Sequence, residues 1–297
     1  MQDSYYRVSP RHLGQMRRSD FCETAFRFGI GLGFRYPFDF PMPGLMFNMD
    51  NFEKRIVNAH FDAKGNLPKW LRALCCSEPV EFPAKLTEDI PSLDLTLVGM
   101  PDAVFSKKNG DLVVVDYKTA RCKGADDPFM PIYEAQLWGY ARLLESNGIG
   151  KVSGASLVYF ENCLADFKES PLDLLSDDGM KVPFTVKLHP VDIDLKSLDA
   201  LLKKFRKYAN MTSPLTYCDC KTCERLQRLF AVERKLSSRE KLIKDMLYRD
   251  GAGLERILRI QDSFLSDSMI KASHGWEADL DDLLSSDSDF VPGPLDI

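Results

Sequence analysis

The stretch from residue 93 to residue 118 constrains the fold of this chain more than any other. LDLTLVG alternates apolar and polar positions, the period of a strand with one buried face. DAVFSKKNGDLVVVDYK then sets two apolar runs on either side of Asn109-Gly110, and Asn-Gly between such runs is the strongest short-range hairpin signal. The second run, LVVVDY at 112–117, is apolar almost throughout, which suits a central strand covered on both faces. It ends in an acid. A buried carboxylate is costly unless something compensates its charge, so Asp116 calls for a partner.

Hairpin geometry supplies candidates. A turn near 108–109 leaves Asp102 and Asp116 about equally far from the turn and so roughly opposite each other across the ladder. Asp116 and Lys118, two apart on one strand, share a face. Two carboxylates and an ammonium therefore meet in a small volume, with the Tyr117 carbonyl between them as a third oxygen. Carboxylates that close repel unless a proton or a cation intervenes, and hard oxygen ligands suit Mg²⁺ or Mn²⁺. A lysine there is placed to position or help deprotonate a water for attack on a phosphodiester. Taken singly, an Asp before a strand or an Asp-x-Lys at a strand end is a common turn or surface feature. Their combination in one hairpin, followed by a helix, is what is specific.

The remaining pattern completes the fold. Ser9-Pro10 reads as an N-cap followed by Pro at the first helical position, with a mixed helical stretch through Phe28 that Gly29, Gly31 and Gly33 loosen. YPFDFPMPG (36–44) reads as an extended connector, 45–62 as a helix with Phe52, Ile56 and Ala59 on one stripe, and Trp70–Leu74 as a shorter helix. Helical spacing returns over 130–147, closed by Asn147-Gly148. GASLVYF (154–160) and VPFTVKLH (182–189) read as strands, and 194–209 as a basic amphipathic helix. The fold class is α/β, a mixed central β-sheet flanked by helices in the order helix–strand–strand–strand–helix–strand. No internal repeat is present.

A chain of 297 residues, 44% hydrophobic and 28% charged, can bury a proper core and is neither collagen-like nor wholly disordered. Its net charge of −5 argues against a purely electrostatic nucleic-acid coat. No apolar run approaches the ~18 residues of a membrane span. The opening MQDSYYRVSPRH lacks the apolar stretch of a signal peptide, so the expectation is a cytoplasmic, intracellular protein without a membrane partner. In that setting eight Cys point to thiols or metal ligands rather than a disulfide framework. Cys218, Cys220 and Cys223 pack three thiols into six residues, and with a fourth they would suit Zn²⁺ or a [4Fe–4S] cluster.

GMPDAVF, LVVVDYKTA and YEAQLWGYARLLESNG together resemble the PD-(D/E)XK nuclease superfamily, in its RecB-like or CRISPR-adaptation branch, over about residues 5–225. The resemblance implies a restriction-endonuclease-like αβββαβ core with helical N- and C-terminal additions. It implies that Asp102, Asp116 and the Tyr117 carbonyl hold Mg²⁺ or Mn²⁺ and that Lys118 is the catalytic lysine. Gln136 and Tyr140, one turn apart on a following helix, would contact DNA or brace the site. The preceding helix would add Glu53 or His60. SPRHLGQMRRSDFCETAFRF (9–28) resembles the family's opening helix, which makes Cys22 the fourth partner of Cys218, Cys220 and Cys223. The family more often spaces these as Cys-x-x-Cys and a later Cys, so the compressed run leaves an iron–sulfur cluster, a zinc site and free thiols all open.

On this reading residues 1–230 form the nuclease-like domain, with its core at about 90–210 and an N-terminal helical part at 5–75. A helical extension follows at 231–265 and an acidic, disordered tail at 266–297. The implied activity is a metal-dependent deoxyribonuclease, an exonuclease of DNA repair, recombination or mobile-element and CRISPR-type processing that prefers single strands or ends. Positive grip on phosphates would come from the Lys196–Lys207 helix and from Arg225 and Arg228. The alternative is a catalytically silent DNA-binding or assembly module on the same scaffold, with the acids of 277–289 mimicking DNA or docking a protein partner. A thiol redox or zinc regulatory protein would leave the hairpin unexplained.

Overall fold

A computed structural model describes residues 6–36, 44–164, 170–213 and 215–235. Most of the 36–44 connector, nearly all of the 231–265 extension and the whole 266–297 tail lie outside the described residues.

The elements run β1 (Tyr6–Val8), α1 (Pro10–Gln15), α2 (Glu23–Gly31), α3 (Gly44–Lys64), β2 (Cys76–Pro79), β3 (Leu86–Ile90), β4 (Leu95–Gly99), β5 (Ala103–Lys107) and β6 (Leu112–Lys118). They continue with α4 (Met130–Ser146), β7 (Val152–Asn162), β8 (Leu175–Ser176), β9 (Gly179–Met180), β10 (Phe184–Val191), α5 (Leu195–Ala209) and α6 (Lys221–Lys235). The chain divides into two compact units: Met1–Phe21 with Pro41–Lys207, and Cys22–Phe40 with Tyr208–Ile297. Among the described residues no helix is long and apolar enough to cross a membrane.

The first unit is built on a five-stranded sheet in the order β10-β7-β6-β5-β2. The apolar run of β6 takes the central position, antiparallel to β5 and parallel to β7. A parallel neighbour needs a crossover, and α4 provides it. The β5–β6 turn forms where Asn-Gly signals it. Gly110 adopts φ +85°, its N–H bonds to the Lys107 carbonyl at 2.9 Å, and the Asn109 side chain accepts the Asp111 N–H at 3.1 Å. Ala103 pairs with Val115, so the ladder's next step sets Asp102 against Asp116.

Alternate residues of β6 serve two layers. Val113, Val115 and Tyr117 pack with Val57 of α3, Leu71, Phe105, Val158 and Phe160. Asp116 faces α4, where it meets Gln136. A smaller sheet, β1-β4-β3, also lies against α4. The approach of α1 to α4 depends on two glycines. A Cβ on Gly139 would fall 2.2 Å from Pro10 Cγ, and one on Gly14 would fall 2.6 Å from the Ile132 Cα.

Ser9 caps α1 as its sequence implies, accepting the His12 N–H, with Pro10 at the first helical position. The helical stretch through Phe28 is nevertheless two helices, with turns between Gln15 and Glu23. Cys22 starts the second by accepting the Ala25 N–H through its sulfur at 3.3 Å. Gly29 and Gly31 lie inside α2 rather than beyond its end, and the exit is made by Gly33 at φ +62°. Gly29 is used for contact: a Cβ there would sit 2.8 Å from the Phe34 ring. In this second unit Phe28, Leu32, Leu215, Leu226 and Phe230 form the core. Arg27 bonds the Met211 and Ser213 carbonyls at 3.0 and 2.7 Å.

Candidate active site

Asp102, just before β5, and Asp116 and Lys118, at the end of β6, converge. Asp102 Oδ2 accepts the Tyr117 N–H at 2.9 Å, which ties the two strands at the open end of the hairpin. Its Oδ1 pairs with the Lys54 ammonium at 3.1 Å. Asp116 is 2% exposed. Its Oδ2 pairs with the Lys118 ammonium, and its Oδ1 accepts from Gln136 Nε2 at 2.9 Å. The same amide nitrogen donates to the Tyr140 oxygen at 2.8 Å. Gln136 and Tyr140 are both buried, and this bond joins them across one turn of α4. Lys118 also stands over the Tyr133 ring, 4.5 Å from its centroid.

Of the two residues read from α3, the structure brings one to these acids. Glu53 is 1% exposed and accepts the Thr119 hydroxyl at 2.7 Å, one residue past Lys118. His60, two turns on, is half-buried, and among the described residues its side chain has no hydrogen bond or ion pair. Several neighbours were invisible as site residues in the sequence: Lys54, its i−4 partner Asp50 at 2.7 Å, Thr119 and Tyr133. Local signals existed for three of them. Lys54 follows Glu53, Thr119 follows Lys118, and Tyr133 lies one turn before Gln136 on the same helix face. Asp50 has only the i,i+4 spacing to Lys54, which any exposed helix shows.

Electrostatics mark the cluster as incomplete on its own. Burial pushes the Asp116 carboxyl up to about 7; Lys118 opposes the rise and Asp102 adds to it. Burial likewise raises Glu53, against the pull of the Thr119 hydroxyl. Lys54 is held above its ordinary range by Asp50 and Asp102 in spite of its partial burial. Asp50, Glu53, Asp102 and Asp116 thus face two ammoniums, Lys54 and Lys118, a surplus of two negative charges. With all four carboxylates ionised, that surplus would match the charge of one divalent cation, and the donors are all hard oxygens of the kind Mg²⁺ or Mn²⁺ takes.

The second unit holds a separate cluster. The thiol sulfurs of Cys22, Cys218, Cys220 and Cys223 all lie within 4.8 Å of one another. Cys22 is 3.4 Å from Cys223 and 3.3 Å from Cys218. Cys220 precedes α6 and accepts the Cys223 N–H at 3.4 Å. Burial pushes the Cys22 thiol up to about 11 and Cys223 higher still. Cys218 is drawn below its ordinary value, because hydrogen bonds from the Cys220 backbone and neighbouring thiols outweigh its desolvation. Four such thiols, none in a disulfide, could hold a soft metal.

Three of the basic residues read as phosphate contacts have partners within the fold. Arg206 of α5 pairs with Asp94 at 2.7 Å, Lys204 lies over Phe21, and Arg228 of α6 pairs with Glu224 at 3.0 Å.

Residues 51–228, more than half of the chain, match the PD-(D/E)XK nuclease superfamily. The chain belongs to that superfamily. Its mixed sheet flanked by helices is the restriction-endonuclease-like fold of the PD-(D/E)XK nucleases. No curated protein sequence matches it. A solved structure titled "Crystal structure of SSO0001" aligns with a TM-score of 0.37 at 14% identity, over 69% of this chain and 77% of that one. A likeness that low adds nothing to the family match.

Proposed function

We propose that this PD-(D/E)XK protein is a metal-dependent deoxyribonuclease that degrades DNA from ends, with Asp102, Asp116 and Lys118 at its centre. One observation carries the reading: two carboxylates and a lysine meet at the open end of one hairpin, with Glu53 and Asp50 beside them, so that among the described residues the ionised cluster would hold more acid than its two lysines neutralise. Asp102, Asp116 and the Tyr117 carbonyl would hold Mg²⁺ or Mn²⁺, with Glu53 behind Thr119 as a further oxygen. The ion would supply charge neutralisation and Lewis acidity at the phosphate. Gln136 fixes the orientation of Asp116 and is itself held by Tyr140, so both act as positioning residues. Lys118 Nζ, held between Asp116 and the Tyr133 ring, is the group placed to orient an attacking water and, as an ammonium, to stabilise the negative charge that develops as that water loses its proton to solvent. Every member of the acid–lysine set is present, which favours an enzyme over a silent DNA-binding module. A role in repair, recombination or mobile-element processing rests on the family resemblance, and a protein partner for the acidic tail rests on the charge of residues 277–289.

End-labelled single- and double-stranded DNA, incubated with Mg²⁺ or Mn²⁺, tests the proposal. Cleavage that starts at the ends and disappears in Asp116→Ala and Lys118→Ala supports it. Equal cleavage by parent and variants removes it, and binding without cleavage supports the silent module.

For the cysteine site the choice lies among a [4Fe–4S] cluster, Zn²⁺ and free thiols, and of the two metal sites the sulfur spacing favours zinc. Zn–S bonds of ~2.3 Å hold tetrahedral sulfurs roughly 3.8 Å apart. The closest thiol pairs here span 3.3 to 3.9 Å. A four-iron cluster sets an iron against each sulfur and spreads them wider. Metal analysis and a visible absorption spectrum of anaerobically purified protein decide: zinc without colour supports the single ion, iron with sulfide supports the cluster, and neither metal supports free thiols.

A further inference from the structure

The candidate active site is acidic, and a phosphodiester that enters it brings further negative charge. A strand held there gains from a cation on the rim, yet most cations nearby are already engaged. Lys118 pairs with Asp116, and Lys54 with Asp50 and Asp102. Arg18 meets both carboxylate oxygens of Asp20 at 2.6 Å and lies over the Phe129 ring. Burial pushes His12 down to about 4, so it is neutral near pH 7. Arg11 differs from these. It is exposed, and among the described residues it has neither a hydrogen bond nor an ion pair.

The packing of α1 on α4 decides where that guanidinium lies. Pro10 sits on Gly139, and Gly14 sits on Ile132 and Ala135. Arg17 covers one flank of this contact, pairing with Glu134 at 2.6 Å and stacking over Trp138. The other flank carries Tyr133, Gln136 and Tyr140, which are turned toward Asp116 and Lys118. Arg11 belongs to that second flank. Burial raises the Tyr133 and Tyr140 hydroxyls, and the Arg11 charge works against the rise in both. An unpaired guanidinium thus stands beside the two tyrosines that bracket Gln136, on the solvent side of the acid–lysine set. The ligand it suits is a phosphate. Arginine keeps its charge at any working pH and offers parallel N–H donors to two phosphate oxygens.

We infer that Arg11 binds a phosphate of the DNA strand next to the scissile one, on the α1–α4 rim of the site. The inference rests on the nuclease reading and adds the residue that grips the substrate backbone on that side.

Fluorescence anisotropy of labelled single- and double-stranded DNA with the full chain in EDTA, across a series of salt concentrations, tests this. Arg11→Gln is expected to weaken binding about tenfold at low salt. It should also lower the slope of log affinity against log salt by about 0.7–0.9, the share of one phosphate contact. Arg11→Lys is expected to keep the slope, because the charge remains. Lys151→Gln removes an exposed charge at the opposite end of β6 from Lys118 and is expected to leave the slope unchanged. The Tm of all three variants should equal that of the parent, since neither position carries a contact of the fold. A parent-like slope in Arg11→Gln overturns the inference, and so does an equal fall in Lys151→Gln, which would make the effect one of net charge. A parent whose binding depends on Arg11 but which cleaves nothing with Mg²⁺ overturns the nuclease reading and leaves the contact standing. Cleavage by the parent with a parent-like slope in Arg11→Gln does the reverse. A parent that neither binds nor cleaves DNA overturns both.

Discussion

Replacing Asp116 by Asn should make the metal-free protein more stable while removing its activity. An ordinary aspartate titrates near 3.8, and burial in this site lifts Asp116 to about 7. The folded chain therefore binds this proton more tightly than the unfolded chain does. Stability from the group is full below about 4 and is lost as the pH rises toward 7, so at pH 8 the folded state bears the whole cost. At ~1.4 kcal/mol per pH unit the lift, in which the attraction of Lys118 is already counted, amounts to about 2–4 kcal/mol at most. For a unit of this size that is roughly 4–16 °C in Tm. The assay is unfolding in EDTA, followed by tryptophan fluorescence, from pH 4 to pH 8.5. The gap between variant and parent should open as the pH rises and close near pH 4. Adding Mg²⁺ should stabilise the parent, by ~2.7 kcal/mol at a hundredfold excess over its Kd, and leave the variant nearly unmoved. A variant that is less stable at pH 8, or a gap independent of pH, would refute the electrostatic account of the site.

Lys54 holds Asp102 at 3.1 Å in the place of a competing cation, so Lys54→Met should tighten Mn²⁺ binding, read by calorimetry; weaker binding would mean that Lys54 supports the site rather than occupying it. Gly139→Ala drives a methyl to 2.2 Å from Pro10 and should cost ~1–3 kcal/mol through separation of α1 from α4, seen as a lower Tm. Cys22→Ser removes a sulfur that sits 3.3 to 3.4 Å from Cys218 and Cys223, so bound metal per chain should fall; unchanged metal content would place the ion elsewhere.

Much of the site was legible in the sequence because its central residues lie close together along the chain. Asp102, Asp116 and Lys118 sit on one hairpin whose turn residues and strand periods are local properties, so their meeting follows from counting outward from Asn109-Gly110. The same locality made the Gln136–Tyr140 pairing readable, since one helical turn separates them. Glu53 was half-legible: the pattern gave a helix containing both Glu53 and His60, but residues seven apart share a face. Only the seating of α3 against Thr119 separates them.

What the sequence alone determined, then, is the β5–β6 hairpin with the helix and strand that follow it, the central place of LVVVDYK in the sheet and the convergence of the hairpin acids, because each depends on short-range geometry and on which faces can be buried; the strands β1, β2 and β3, and the separate sheet that takes β4, were not legible in it. The tertiary structure decided the rest. It brought Lys54 to Asp102, set Gln136 against Asp116 and gathered Cys22 with thiols 196 to 201 residues away. Those contacts depend on how separate helices and strands pack, and no residue spacing along the chain encodes that distance.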